Sequence, residues 1–493
     1  MTAAHHIRLV SLVAGLALPA LVWGCAVGPD FHRPAPPAVT RYTRAPSLSV
    51  GGGPADLGGD TQQALAAGAD IPGRWWTLFQ SPALDRLMDL ALKNNADLQS
   101  AKAALKAARE TYYAQQGAFF PTVDASYSAQ RQEASNTPAP PLTSAVNLFT
   151  LHTAQLTISY VPDLFGGVRR QTETVAAQAE AQRFETEAAY LTLTSNLAAA
   201  AIQEASLRGQ IAATERIIAL NRDVLALTHA QKAAGQISGA DVAAQEAALA
   251  QAEQGLPPLQ KQLAQQEDLI AALTGRLRSE AADDGIDLAA MVLPREVPVS
   301  LPSKLVEQRP DVRVAEANLH AASAQVGVAI ANRLPSFALT GNAGGAATQL
   351  SNLFSGGNSF WSVTGAVTQP IFQGGSLYHR QRAAEAAFDQ AKAQYRSTVI
   401  DAFQNVADAL QVLQADALAL KAADRAEQSA AASLTIVRKQ LELGGVSNVA
   451  VLNAEQTYRQ ALISQAQAQS NRYSDTVALI QALGGGWWNR NDT

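Results

Sequence analysis

Residues 97–121 read DLQSAKAALKAARETYYAQQGAFFP, and residues 311–335 read DVRVAEANLHAASAQVGVAIANRLP. Laid on one another at an offset of 214, they share Asp97/Asp311, Ala101/Ala315, Ala103/Ala317, Leu105/Leu319, Ala107/Ala321, Ala108/Ala322 and Pro121/Pro335. Working outward, PDLFGG (162–167) answers QPIFQGG (369–375), GQISGADVAAQEA (235–247) answers GGVSNVAVLNAEQ (444–456), and LIAALTG (269–275) answers LIQALGG (479–485). The order of the blocks never changes. Self-similarity of this kind marks a tandem architecture, so two structural halves are expected, 81–290 and 291–493.

Each half reads helix, proline, strand, loop, strand, proline, long helix, glycine turn, shorter helix. Ser376 to Leu443 contains neither Gly nor Pro, and a helix of that length would extend about 100 Å. Its apolar positions Phe388, Tyr395, Val399, Phe403, Val406, Leu410, Leu413, Ala417 and Leu420 step close to the coiled-coil period of about 3.5. Val168 to Ala234 is its twin, with Leu193, Leu197, Ala200, Leu207, Ile211, Ile218 and Leu225 on a similar seam. The return helices 241–274 and 449–483 are about half as long, and Gly255, Pro257 and Pro258 interrupt the first. The helices 97–117 and 311–332 have about the missing length and would complete the second wall of a long antiparallel bundle.

Four strands are expected near 122–132, 149–161, 336–346 and 359–369, forming the strand pairs 122–161 and 336–369. Val123, Ala125, Tyr127 and Ala129 alternate with Thr122, Asp124, Ser126 and Ser128, and Trp361, Val363 and Val367 alternate with Ser362, Thr364, Ala366 and Thr368. One apolar and one polar face over about ten residues suits an outer-membrane barrel strand, with Phe360 and Trp361 as interfacial aromatics. Four strands cannot close a barrel in lipid, where open edges are forbidden; three chains would supply twelve. The fold class expected is therefore mainly α with a membrane β-barrel, a homotrimer whose long helices continue as an α-helical coiled-coil barrel.

The N-terminus carries the only cysteine of 493 residues. His5, His6 and Arg8 precede the short apolar run Leu9–Trp23, the layout of a signal peptide over 1–24. It is too short for a spanning helix of about 20 residues. Val22-Trp23-Gly24-Cys25 resembles a bacterial lipobox, which implies cleavage before Cys25, lipidation there and a lipidated extended segment over 25–80. Ala26 follows rather than Asp, which under the sorting rule that comes with this resemblance favours the outer membrane. Acyl chains add about 0.8 kcal/mol per buried methylene, enough for several together to hold a protein on a bilayer.

The net charge of −5 becomes −6 once Arg8 leaves with the leader, which argues against a nucleic-acid partner. The seven histidines (5, 6, 32, 152, 229, 320 and 379) are scattered, with no metal-ligand spacing and no nucleophile motif. No enzyme activity, metal or cofactor is implied. Trp75-Trp76 and Trp487-Trp488 are expected to pack in the protein, and Asp283-Asp284 to lie in a solvated loop.

VGPDFHRP (27–34), WWTLFQSPALDRLMDLALKNNADLQSA (75–101), SYVPDLFGGVRR (159–170), LPPLQKQLA (256–264), EQRPDVRVAEANLHAASAQVGVAIANRLPSFALTG (307–341), TQPIFQGG (368–375) and LNAEQTYRQA (452–461) together resemble the outer membrane factor family of TolC-like ducts, in its NodT-type lipoprotein branch. The resemblance implies a passive homotrimeric channel for drugs or other small toxic compounds. It would work with a periplasmic adaptor and an inner-membrane pump of the resistance-nodulation-division or major-facilitator type. It also implies that Gly235, Ser238, Asp241, Gly444, Ser447 and Asn448 lie at a periplasmic tip that docks the adaptor. The plainer reading of these residues is a pair of helix-hairpin turns, and both readings can hold together. The second turn has no carboxylate, so a constriction built from Leu443, Val446 and Val449 is weighed against an acidic one. A structural or adhesive coiled-coil lipoprotein and a duct for type I protein secretion are the rival readings; the duplicated strand pairs separate the first from a channel.

Overall fold

The computed structural model describes residues 26–39, 41–43, 49–50, 63–133, 148–280, 285–286 and 288–490. Cys25, the leader 1–24 and Asp283-Asp284 lie outside the described residues. Helices form where Ala, Gln, Glu, Leu and Arg dominate, and they end near Gly and Pro. They are α1 (Pro82–Asn94), α2 (Ala96–Gln116), α3 (Gly167–Ala233), α4 (Gly239–Gln254), α5 (Leu256–Leu273), α6 (Pro302–Gln308), α7 (Pro310–Ala331), α8 (Ser376–Glu442) and α9 (Asn448–Ala482).

The long helices α3 and α8 each run 67 residues. Gly255 divides the first return segment into α4 and α5, and Pro257 falls in the first turn of α5. A proline is tolerated there because first-turn N–H groups have no intrahelical partner to lose. No glycine or proline interrupts the corresponding stretch of the second half, and α9 is continuous over 35 residues. Among the described residues no helix is long and apolar enough to cross a membrane.

The strands are β1 (Ser49–Val50), β2 (Gln63–Ala67), β3 (Thr122–Glu133), β4 (Leu148–Tyr160), β5 (Glu296–Val299), β6 (Ser336–Ala347) and β7 (Ser359–Thr368). Packing divides the chain into two units that cut across both expected halves: residues 1–33, 105–182 and 315–395, and residues 34–104, 183–314 and 396–493.

The first unit holds an antiparallel sheet of order β3-β4-β6-β7. Its register places Ala125, Leu156, Ala343 and Trp361 in one row across four strands, and Val123, Ile158, Gly341 and Val363 in another. The row between them is Asp124, Thr157, Asn342 and Ser362. Successive side chains point to opposite faces of a strand, so the apolar rows share one face and the polar row lies on the other. Thr157 Oγ1 donates to Asn342 Oδ1 at 2.8 Å, and Asn342 Nδ2 to Ser362 Oγ at 3.4 Å. Trp361 and Val363 are 78% and 75% exposed, a sheet face left open by the described residues.

The same unit seats the N-terminal strap, residues 26–33. Val27 N–H donates to the Phe165 carbonyl at 3.1 Å, and Arg170, itself buried, donates to the Val27 carbonyl at 3.1 Å, to Asp30 at 2.6 Å and to Glu173 at 2.8 Å. Glu173 also meets His320 at 2.8 Å, and the Phe31 ring stacks on that imidazole at 4.3 Å. Gly28 lies against Gly327 so closely that a Cβ on it would stand 2.4 Å from Gly327 Cα.

The second unit has its core at a short 3-10 helix, Trp75–Phe79. Trp75, Trp76 and Phe79 are fully buried beside Ile71, Leu84, Leu87 and Met88. Trp76 packs on Tyr190 and Phe79 on Tyr473, with ring centroids 6.4 and 6.0 Å apart. Trp487 packs on Phe184 and donates to the Gln308 carbonyl at 2.6 Å. The small sheet β1-β2-β5 also belongs here, with β2 parallel to β5. Within the 25–80 segment, expected as an extended segment, the described residues contribute strands and a helical turn; strands this short carry too little alternation to announce themselves.

Candidate functional site

The candidate site consists of the two helix-hairpin turns of the second unit. At the first, α3 ends with Gly235 N–H donating to the Lys232 carbonyl and Gln236 N–H to the Gln231 carbonyl, both at 2.9 Å. At the second, α8 ends with Gly444 N–H donating to the Leu441 carbonyl at 3.0 Å and Gly445 N–H to the Gln440 carbonyl at 2.8 Å. Both are Schellman endings, which need one residue in the left-handed region. Gly235 and Gly444 supply it with φ of 72° and 73°.

The return helices begin with matching backbones and different side-chain chemistry. Ser238 and Ser447 are the N-caps, with φ −83° at both and ψ 165° and 160°. Ser238 Oγ accepts from Asp241 N–H at 3.3 Å, while Asp241 Oδ2 accepts from Ser238 N–H at 2.9 Å and from its hydroxyl at 2.7 Å. This is a reciprocal capping box. Those hydrogen bonds, the hydroxyl's first, hold the Asp241 carboxyl below its usual range. At the second turn Ala450 stands where Asp241 stands in the first, and Ser447 makes no side-chain capping bond.

The hairpin legs are braced by polar contacts. Gln245 on α4 donates to the Asn221 side chain on α3 at 3.1 Å, and Arg222 pairs with Glu253 at 2.7 Å. Arg438 on α8 pairs with the buried Glu455 on α9 at 2.7 Å, and Lys439 with Glu442 at 2.7 Å. The carboxylates of Asp241, Glu253, Glu442 and Glu455 are thus each engaged within their own hairpin. The hairpins lie side by side: α4 packs on α9, and Ile217, Ala248, Leu452 and Arg459 line the crevice there. Leu443 is 76% exposed, Val449 is half exposed and Val446 is partly buried.

Of the residues expected at the tip, Gly235, Ser238 and Asp241 are gathered in one turn, and Gly444 and Ser447 in the other, where Asn448 opens α9. Sequence reasoning missed the roles of Arg170, Glu173 and His320, although VGPDFHRP had drawn notice to the strap they hold. Arg170 meets Asp30, and Glu173 meets His320, across more than a hundred positions of the chain.

The family model described as outer membrane efflux protein matches residues 87–276 and 301–485. The chain belongs to that family. It is similar to the probable efflux pump outer membrane protein TtgC of Pseudomonas putida, at 29% identity over 472 residues, 95% of this chain and 94% of the relative. Outer membrane protein OprJ of Pseudomonas aeruginosa is 29% identical over 486 residues, 96% of each chain. Among solved structures, the outer-membrane channel OprN superposes with a TM-score of 0.84 at 27% identity, covering 94% of this chain and 100% of that one. As a family member the chain is an outer-membrane efflux channel, a duct without catalytic chemistry that serves a tripartite system with an adaptor and an inner-membrane pump.

Proposed function

We propose that three copies of the chain close one channel, each sheet giving four strands of a twelve-stranded barrel and the long helices continuing as a periplasmic tube. The observation that carries this reading is the four-stranded sheet itself, which has one apolar face and ends at β3 and β7. Each unpaired backbone group on an open edge costs several kcal/mol in hydrocarbon. Pairing β7 of one copy with β3 of the next removes both edges and leaves the apolar rows toward lipid. The Asp124, Thr157, Asn342 and Ser362 row then faces a water-filled path.

The collinear blocks support a tandem duplication of 81–290 and 291–493 behind the segment 25–80. Lipidation of Cys25 fits the seat of the strap: the next residue, Ala26, lies against Gly166 at the junction of β4 and α3. A lipid on Cys25 would thus enter the bilayer beside the barrel. The exposed turns, Gly235, Ser238 and Asp241 with Gly444, Ser447 and Asn448, dock the adaptor. Leu443, Val446 and Val449 form an apolar constriction, which can gate a pore by dewetting. The cargo is drugs or other small toxic compounds, and the pump is of the resistance-nodulation-division or major-facilitator type. A coiled-coil scaffold has no use for the amphipathic sheet, which disfavours that rival.

Intact-mass measurement of the detergent-extracted protein tests the assembly. The expected result is particles of three chains, each carrying an acyl mass that Cys25→Ser lacks. A monodisperse monomer or dimer overturns the barrel. Photocrosslinking in cells from position 447 is expected to capture an adaptor, and capture of neighbouring copies alone would move the docking surface elsewhere.

A further inference from the structure

Each strand of the four-stranded sheet is joined to one helix. α3 leaves β4 and α7 enters β6, the two middle strands, whereas α2 enters β3 and α8 leaves β7, the two edge strands. Burial follows that order. Within the first unit α3 buries Arg170, Val175 and Ala177, and α7 buries Leu319 and Ala324. In the stretches that repeat them, 105–117 and 376–395, no residue is buried.

The covered pair shows how such a seam closes. A Cβ on Gly167 would stand 3.2 Å from Ala331 Cβ, and one on Gly327 would stand 2.8 Å from Arg170 Cγ and 2.7 Å from the Val27 carbonyl. Glycine is needed at 327 because Arg170 and the strap already fill the space beside it. The duplication supplies the counterparts. α3 and α8 are both 67 residues long, so Ser376 stands for Gly167 and His379 for Arg170. In keeping with this, the His379 N–H donates to the Gly375 carbonyl as the Arg170 N–H donates to the Gly166 carbonyl. The offset that sets Pro121 on Pro335 sets Gly117 on Ala331 and Tyr113 on Gly327. At the first position the glycine has changed sides, and at the second an aromatic replaces it. A Cβ on Gly117 would meet nothing within 4 Å. Tyr113 and Tyr378 are both more than half exposed, and the Tyr378 and His379 rings meet edge to face at 5.2 Å.

We propose that the seam between copies repeats the seam within the chain. α2 of one copy lies along the first turns of α8 of the next, Gly117 admits Ser376, and Tyr113 fills, against His379 and Tyr378, the space that the strap fills beside Arg170. This rests on the closure by three copies proposed above and names the helix surfaces that join them. A buried aromatic side chain covers roughly 150–250 Å², and exposed apolar groups gathered on one face mark an interaction surface. The contact between Glu173 and His320 is not repeated: Arg382 and Lys106 take their places, and Arg382 is held by Glu385 on its own helix at 2.9 Å. The seam between copies is therefore aromatic where the seam within the chain is ionic.

A photoreactive benzoylphenylalanine at position 113 of the full-length protein tests the seam, with the native mass of the detergent-extracted wild type read first. Illumination is expected to link whole chains to one another, joining position 113 to residues 375–382 of a second chain. Linkage confined to one chain, or to another region of a neighbour, overturns the seam while the trimer stands. A monomeric wild type overturns the closure itself. Tyr113→Ala is expected to lower the temperature at which extracted trimers dissociate in dodecyl sulfate, and Tyr113→Phe to restore it. Equal dissociation temperatures in all three proteins overturn the aromatic contact.

Discussion

Arg490 and Glu187 meet at 2.7 Å with their side chains only 10% and 8% exposed, and the same guanidinium lies 3.9 Å from the centre of the Tyr190 ring. Removing one member of a buried pair strands the other charge. Arg490→Met is expected to cost about 3–5 kcal/mol, read as a lowered thermal midpoint, and the double substitution with Glu187→Leu is expected to recover most of it. A double variant no better than the single one would show that ring stacking, rather than charge, is what Arg490 contributes.

The two hairpin turns differ in their capping chemistry, Asp241 in the first standing where Ala450 stands in the second, and their responses should differ accordingly. Ser238→Ala removes a capping box and is expected to cost about 1 kcal/mol, whereas Ser447→Ala should be close to neutral because Ser447 makes no side-chain capping bond. Local hydrogen exchange at residues 236–244 and 445–453 measures both.

Acid acts on the capping box, which only the first turn has. The folded-state pKa of Asp241 lies below its usual value, so the box contributes fully above the unfolded pKa of about 3.9 and is lost as pH falls through the depressed one. Protection of the first turn should therefore drop below about pH 4, and Asp241→Asn should abolish that drop. The second turn, with Ala450 in the matching place, has no capping box to lose.

Gly28 combines a φ of 95° with its approach to Gly327, so Gly28→Ala must move the strap. Limited proteolysis within residues 26–33 is expected to quicken severalfold while the melting temperature of the rest changes little. Equal protease resistance in both proteins would mean that the Arg170 contacts alone hold the strap.

Leu443→Ala and Val449→Ala, if these side chains narrow the path, should raise single-channel conductance in planar bilayers. Unchanged conductance in both would remove them from the constriction.

The long helices could be read from the chain because Ser376–Leu443 has no breaker and a steady seam of apolar positions. The sheet could be read from the alternation of Val123, Ala125 and Tyr127 with Thr122, Asp124 and Ser126. The hairpin ends could be read from Gly235 and Gly444, which supply a backbone conformation other residues resist. Arg170 with Asp30, β2 with β5, and Arg490 with Glu187 could not be read this way, because each pair joins separate elements and leaves no periodic trace.

By itself the sequence determined the long helices, the four long strands with their apolar faces and the two glycine turns, because those properties rest on interactions within a few residues. Only the tertiary structure decided that the packing units interleave the two halves, that Gly28 must touch Gly327, and that Arg490 meets Glu187. Contacts between distant residues depend on how whole helices and strands pack, and that geometry is set by the burial of many side chains at once rather than by any one stretch of chain.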